Sequence, residues 1–106
     1  MVTNFQHNIN TLLLAIKEKQ SIKQTIKQIN TGANIYTVIS DYDSIKNQVN
    51  YYVNKRSKNG KDFGTLHIDS VSYYGISYNA ELFSIPDSVK KVIHKHYTTI
   101  SKSVNK

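Results

Sequence analysis

DSIKNQVNYYVNKRSKNGK, residues Asp43 to Lys61, is the stretch on which a reading of the fold turns. Ile45, Val49, Tyr52 and Val53 recur at steps of three and four, the spacing of one helix face. Lys46, Asn47, Asn50, Asn54 and Lys55 fall largely on the opposite side. The preceding Ser40, Asp41 and Asp43 are helix-start residues, with carboxylates suited to the positive end of a helix dipole. Asn59 and Gly60 close the segment. The stretch therefore predicts a polar, amide-rich helix that runs into a basic tail, Lys55 to Lys61.

Toward the N-terminus, Phe5, Ile9, Leu12, Leu13 and Ile16 share one helical face. The register slips at Lys19 and Gln20. Ser21 then opens a second series, Ile22, Ile26 and Ile29, with Ser21 and Gln24 spaced as a capping box. Two helices with a joint near Ser21 are expected; one continuous helix is the alternative, because neither Gly nor Pro interrupts the run. Gly32 suits the left-handed position after a helix end. The β-branched run Ile35 to Ile39 is a short strand or a buried extended connector. Residues 1–4 are expected to be loose.

Toward the C-terminus the period changes to two. Leu66 and Ile68 alternate with Thr65, His67 and Asp69, and Ile76, Tyr78 and Ala80 follow suit, so Phe63 to Ile85 reads as a two- or three-stranded antiparallel unit. Ser70, Tyr73, Tyr74 and Gly75 offer its turn or bulge positions. Pro86 and Asp87 open a last helix. Its stripe is Val89, Val92, Ile93, His96 or Tyr97, Ile100 and Val104, and its tail, Lys102 to Lys106, is expected to fray. The stripe either completes the core or pairs with its equivalent in a homodimer. Lys90, Lys91, Lys95 and Lys102 keep its outer face basic.

The whole is one α+β domain, its N-terminal helices and third polar helix followed by a small antiparallel sheet or hairpin and a C-terminal helix. Helix, helix, connector, polar helix and β hairpin, in that order over residues 8–85, resembles the winged-helix arrangement. That resemblance implies a third helix in the major groove and a hairpin on the flanking backbone.

At 106 residues the chain is long enough for one modest core. Its charged fraction of 20% and eight tyrosines argue for an ordered domain. No apolar run approaches the roughly 18 residues of a membrane span, and no secretory signal layout opens the chain. With no cysteine there is neither a disulfide framework nor a thiolate metal site. A cytoplasmic setting is the default expectation, with no cofactor and no membrane partner.

The net charge of +7 favours an acidic partner, either nucleic acid, with DNA ahead of RNA, or an acidic protein surface. All but one of the basic residues are lysines, which contact phosphate as point charges; arginine, preferred for guanine, appears only as Arg56. Lys46, Lys55, Arg56, Lys58 and Lys61 are the candidate phosphate contacts. Asn47, Asn50 and Asn54 are the candidate readers of adenine. Tyr51, Tyr73 and Tyr74 are candidates for base stacking or for an interface. The Lys, Asn, Ile and Tyr richness also matches the drift of an AT-rich genome.

Catalytic patterns are weak. His94 and His96 stand two apart on a helix, so their rings diverge by about 200°. Nothing in the spacing of His67 with a lysine and a tyrosine calls for a nuclease, and neither a phosphate-cradling glycine loop nor a nucleophile elbow is present. The expectation is a non-enzymatic nucleic-acid-binding protein, a regulator or a replication accessory factor. The alternative is an interaction protein from a phage or mobile element that inhibits a host nucleic-acid-processing or defence enzyme. A nuclease toxin is the third reading.

Overall fold

The computed structural model describes residues 4–104; of the ends expected to be loose, 1–3 and 105–106 lie outside the described residues, while Asn4 opens the first helix. The elements are α1 (Asn4–Glu18), β1 (Ile22–Asn30), β2 (Asn34–Asp43), β3 (Gln48–Ser57), β4 (Asp62–Ser72), β5 (Gly75–Tyr78) and α2 (Asp87–Val104). The five strands form one antiparallel sheet in the order β1-β2-β3-β4-β5. Each strand is joined to the next by a short turn. Both helices lie against one face, and among the described residues no element covers the other. The α+β class is as expected, but the helix count is not. No helix among the described residues is long and apolar enough to cross a membrane.

The second predicted helix is β1. Ile22, Ile26 and Ile29 do share a face, but a bulge between Thr25 and Lys27 makes them do so. The extra residue converts a spacing of four then three, which mimics a helix, into one side of a strand. Helix α1 ends where the register slip placed a joint. Lys19 sits at φ 57, its N–H donates to the Ile16 carbonyl at 3.2 Å, and the Gln20 N–H donates to the Ala15 carbonyl at 2.9 Å. These are the two bonds of a Schellman ending, with a lysine where glycine is usual.

The third predicted helix is β3 together with the turn before it. The Asp43 carboxylate accepts the N–H of Ile45 at 2.9 Å and of Lys46 at 3.2 Å. A helix N-cap makes the same two contacts, so the sequence signal is shared by the two structures. Here the chain reverses instead, through Asn47 at φ 52. Ile45, expected on the core face, is 94% exposed at the turn. Beyond it Val49, Tyr51 and Val53 alternate inward with the strand period. With residues 22–30 and 48–57 in strands, only α1 precedes the sheet among the described residues, which do not follow the winged-helix order with its recognition helix.

Ile35 to Ile39 is part of β2, and the antiparallel unit expected after Phe63 is present as β4 and β5 with a bulge between Ile68 and Ser70. Helix α2 begins one residue after Pro86, whose carbonyl accepts the Val89 and Lys90 N–H groups. It continues to Val104, through the first three residues of the tail expected to fray.

The core lies between the sheet and the helices. Tyr36, Val38, Tyr51, Val53, Leu66 and Ile68 from the sheet meet Val89 and Ile93 of α2, while Ile9, Leu12 and Ala15 of α1 pack with Tyr42 and Ile100. Of the α2 stripe, Val89, Ile93, His96 and Ile100 are buried inside the protein, Val92 is partly buried and Val104 is half exposed.

A polar seam crosses this core. Gln24, Ser40 and Tyr51 are neighbours in register on β1, β2 and β3. The Tyr51 hydroxyl meets His96 Nδ1 at 2.7 Å, while Gln24 Oε1, Ser40 Oγ and His96 Nε2 are buried with no bonding partner in the protein. Burial raises the Tyr51 pKa and lowers that of His96 to about 4, so both side chains are held neutral. The Tyr51 hydroxyl and His96 Nδ1 thus share one hydrogen bond between neutral groups, whose donor the imidazole tautomer sets.

Candidate nucleic-acid interface

The β3–β4 hairpin carries four of the candidate cations, and strand alternation divides them. Lys55 pairs with Tyr36 and Arg56 with Ile35 across to β2, so the consecutive side chains take opposite faces. On the helix side, Lys55 Nζ stands 4.6 Å from the Phe63 ring centroid, 5.7 Å from Phe83 and 5.9 Å from Tyr36. Lys61 Nζ lies 5.1 Å from Phe63. Phe63 can take this place because β4 is bulged there, opposite Lys55 and Arg56. Lys58 occupies the exposed turn, its N–H donating to the Ala33 carbonyl at 3.1 Å. Lys55, Lys58 and Lys61 therefore gather at one end of the molecule, whereas Arg56 stands on the uncovered face, in register with Asp62. The Asp62 carboxyl is held below its ordinary range by the Gly64 N–H, the Asn54 amide and the Arg56 charge.

The candidate adenine readers are dispersed. Asn54 Nδ2 donates to Asp62 Oδ1, the Gly64 carbonyl and Thr65 Oγ1, which braces the β3–β4 bulge. Asn47 takes the left-handed position of the β2–β3 turn, and its Oδ1 accepts the Tyr42 hydroxyl proton at 2.8 Å. Lys46 is exposed in that turn, far along the strand from Lys55. Asn50 and Tyr51 border a cleft of about 380 Å³ with Tyr97 and Ile100 of α2, where the ladder between β3 and β4 stops after the Tyr51–Ile68 pair. Tyr51 itself is buried. Tyr73 packs edge-on against Tyr97 at 5.8 Å, and Tyr74, at the tip of the β4–β5 hairpin, is 99% exposed.

Helix α2 supplies basic residues that the sequence reading placed on an outer face without joining them to a site. Lys90 and Lys91 lie in its first turns and His94 and Lys95 one turn on. Lys90 Nζ is 5.8 Å from the Tyr78 ring and Lys95 Nζ 5.0 Å from Phe5. His94 and His96 diverge as two residues on a helix must: His96 enters the core, while His94 Nε2 donates to the Tyr73 carbonyl at 3.1 Å. The two basic groups adjoin. Lys55 reaches Phe83, in the loop that leads to α2, and the Tyr78 hydroxyl beneath Lys90 accepts the Ile85 N–H of the same loop at 2.9 Å.

Among the described residues the one ion pair within 4.0 Å is His67 with Asp69, at 3.8 Å. The described lysines and Arg56 are without a carboxylate at that distance. Asp41, Asp43 and Asp69 lie on or beside the uncovered sheet face, away from the lysines of the helix side. Positive charge is thus concentrated on the helix side with no lysine in an ion pair within 4.0 Å among the described residues, Asp87 standing one turn before Lys91 on α2, and several ammonium groups rest on aromatic rings that fix the lysine stems.

The uncovered face has a different chemistry. Ile35 and Ile39 of β2 are half-buried there, and Tyr52 and His67, paired across β3 and β4, bring their rings to 5.0 Å at an angle of 45°. The sequence offers Tyr52 both to a helical core face and, with the other tyrosines, to base stacking, but not to a pairing with His67, since a helical reading of 43–61 has no cross-strand neighbour. Comparison with family models, with curated proteins and with solved structures finds no match for this chain.

Proposed function

We propose that this chain is a small non-enzymatic nucleic-acid-binding protein, a regulator or replication accessory factor, which grips the phosphate backbone with the lysines of its helix side. The observation that carries this reading is the unneutralised run of Lys55, Lys58 and Lys61 on the hairpin with Lys90, Lys91 and Lys95 on α2. Lysines held by rings and free of carboxylates are placed to exchange counterions for phosphates. The near absence of arginine and the engagement of Asn47 and Asn54 in turn and bulge bonding favour backbone contact over base reading. Affinity measured against salt tests this. Six phosphate contacts correspond to a log–log slope of about −5 on duplex and about −4 on a single strand. Replacing Lys58 and Lys61 by alanine should reduce the slope by about 2 and weaken all sequences alike. A slope near zero, or no binding to either form at low salt, would sink the proposal.

A second reading is favoured by one observation, the uncovered sheet face with Ile35, Ile39, Tyr52 and His67. Such a face suits an interaction protein that covers a surface of a nucleic-acid-processing enzyme. A stoichiometric protein partner that survives nuclease treatment and high salt, and is lost with Tyr52→Ala, supports that reading over the first.

A further inference from the structure

Lys90, Lys91, His94 and Lys95 form a two-by-two array on α2, since 90 pairs with 94 and 91 with 95 at one helical turn. With Gly75 and Ile76 of β5 they line a cleft of about 270 Å³ that contains no carboxylate. A like-charge pair such as Lys91 and Lys95 destabilises an isolated helix at such spacing, and Lys90, in a first turn that also holds Asp87, opposes the helix dipole. Each term vanishes or reverses when an anion occupies the cleft. The four groups are not equivalent. Lys90 and Lys95 are drawn to the flanks by the Tyr78 and Phe5 rings, which spreads the array. Lys91 makes no ring contact and no ion pair within 4.0 Å, Asp87 standing one turn before it on the helix. His94 is fixed by the Tyr73 carbonyl, which can only accept, so Nε2 bears the proton and Nδ1 is the free ring nitrogen.

We infer that this cleft is a phosphomonoester site that takes the phosphorylated end of a nucleic-acid strand. The inference rests on the nucleic-acid reading above and adds an end-recognising site to it. A terminal monoester carries up to about two negative charges, against one for a backbone diester, and its second ionisation falls near neutrality. It therefore matches three lysines better than a diester does. In its monoprotonated form it also has an O–H to donate to Nδ1 of His94, which no diester has. Gly75, which has no side chain to fill the cleft, is followed back along the chain by Tyr74, whose ring is free for the first base to stack on.

The experiment compares oligonucleotides of one sequence that carry either a 5′-phosphate or a 5′-hydroxyl, by fluorescence anisotropy at fixed salt, with nucleoside 5′-monophosphate as a small probe. The phosphorylated strand should bind about tenfold more tightly, the factor of one added hydrogen bond to a charged group. In Lys91→Gln/Lys95→Gln, both exposed positions, both strands should weaken by the loss of two backbone contacts, and the ratio between the two ends should in addition fall below about twofold. Equal affinity for the two ends, with salt-dependent binding intact, overturns the end site and leaves the proposed function standing. If neither strand binds, the proposed function fails, and the monophosphate decides the cleft. Amide shifts at Gly75, Lys91 and His94 on its addition keep a phosphomonoester site, and their absence overturns it.

Discussion

Acidification should unfold this protein through one buried ring. His96 is fully buried, and its pKa is lowered by that burial to about 4 from 6.5. Between those values the unfolded chain binds a proton that the folded chain refuses. Stability is then full above about pH 6.5, falls as pH drops toward 4, and levels off below. The displacement of some 2.5 units corresponds to about 3 kcal/mol at 1.36 kcal/mol per unit, a large part of the roughly 5–15 kcal/mol of a small domain. For a chain of this size a urea slope of about 1–1.5 kcal/mol/M makes that a loss of about 2–3 M in midpoint. Urea unfolding followed by far-ultraviolet circular dichroism, at pH 7.5 and at steps down to 4, measures it. His96→Gln retains hydrogen-bonding capacity but cannot titrate, so its midpoint should change far less over that range. Asp62 has a depressed pKa, so its contribution is present above the ordinary carboxylate range and lost below it, under the window in question. A wild-type midpoint that is flat from pH 6.5 to 4, or an equal fall in His96→Gln, would refute the reasoning.

Other expected outcomes follow from particular contacts. Lys19→Gly should stabilise the protein by about 0.5–1 kcal/mol in the same urea assay, because Lys19 holds the left-handed position of the Schellman ending at φ 57. Gly64→Ala should cost about 1–3 kcal/mol, since φ is +102 there and a methyl would stand 3.0 Å from Leu82 Cδ2. Tyr51→Phe leaves His96 Nδ1 unpartnered in the core and should cost about 1–3 kcal/mol. Ile93→Ala, at a fully buried α2 position, should cost about 2–5 kcal/mol and lower the thermal midpoint accordingly.

The sequence was legible where one period ran without interruption. Phe5 to Ile16, the alternation about Leu66 and Ile68, and the stripe of α2 each kept one spacing, and each formed the expected element. It was misread where two structures share a local signature. The β1 bulge let Ile22, Ile26 and Ile29 satisfy a helical spacing on one side of a strand. Asp43 made the contacts of an N-cap while opening a turn. The residue that separates the readings of 43–61 is Tyr51. A helix would leave it outside beside Asn50, whereas a strand sends it inward between Val49 and Val53, where β-branched and aromatic neighbours favour extended chain.

The same substitution of strand for helix changes the meaning of the candidate site. On a helix, Lys46, Asn47, Asn50 and Asn54 form one face, and their amides ask for a ligand. On a meander, several asparagines have work at the joints: Asn30 Oδ1 accepts the Gly32 N–H, Asn47 turns between β2 and β3, Asn54 braces a bulge, and Asn79 Oδ1 accepts the Glu81 N–H. Turn chemistry thus accounts for amides that had been divided between base reading and genome drift. Lysines have no such internal use. None at the β3–β4 hairpin or on α2 is neutralised by a carboxylate, and what the fold adds is position: the loop 79–86 brings the start of α2 beside the hairpin end, so cations about 30 residues apart in sequence share one side. Removing Lys91 and Lys95 should therefore lower the salt slope by an amount that adds to the effect of removing Lys58 and Lys61. If only one of the two pairs changed the slope, the helix side would not be a single interface.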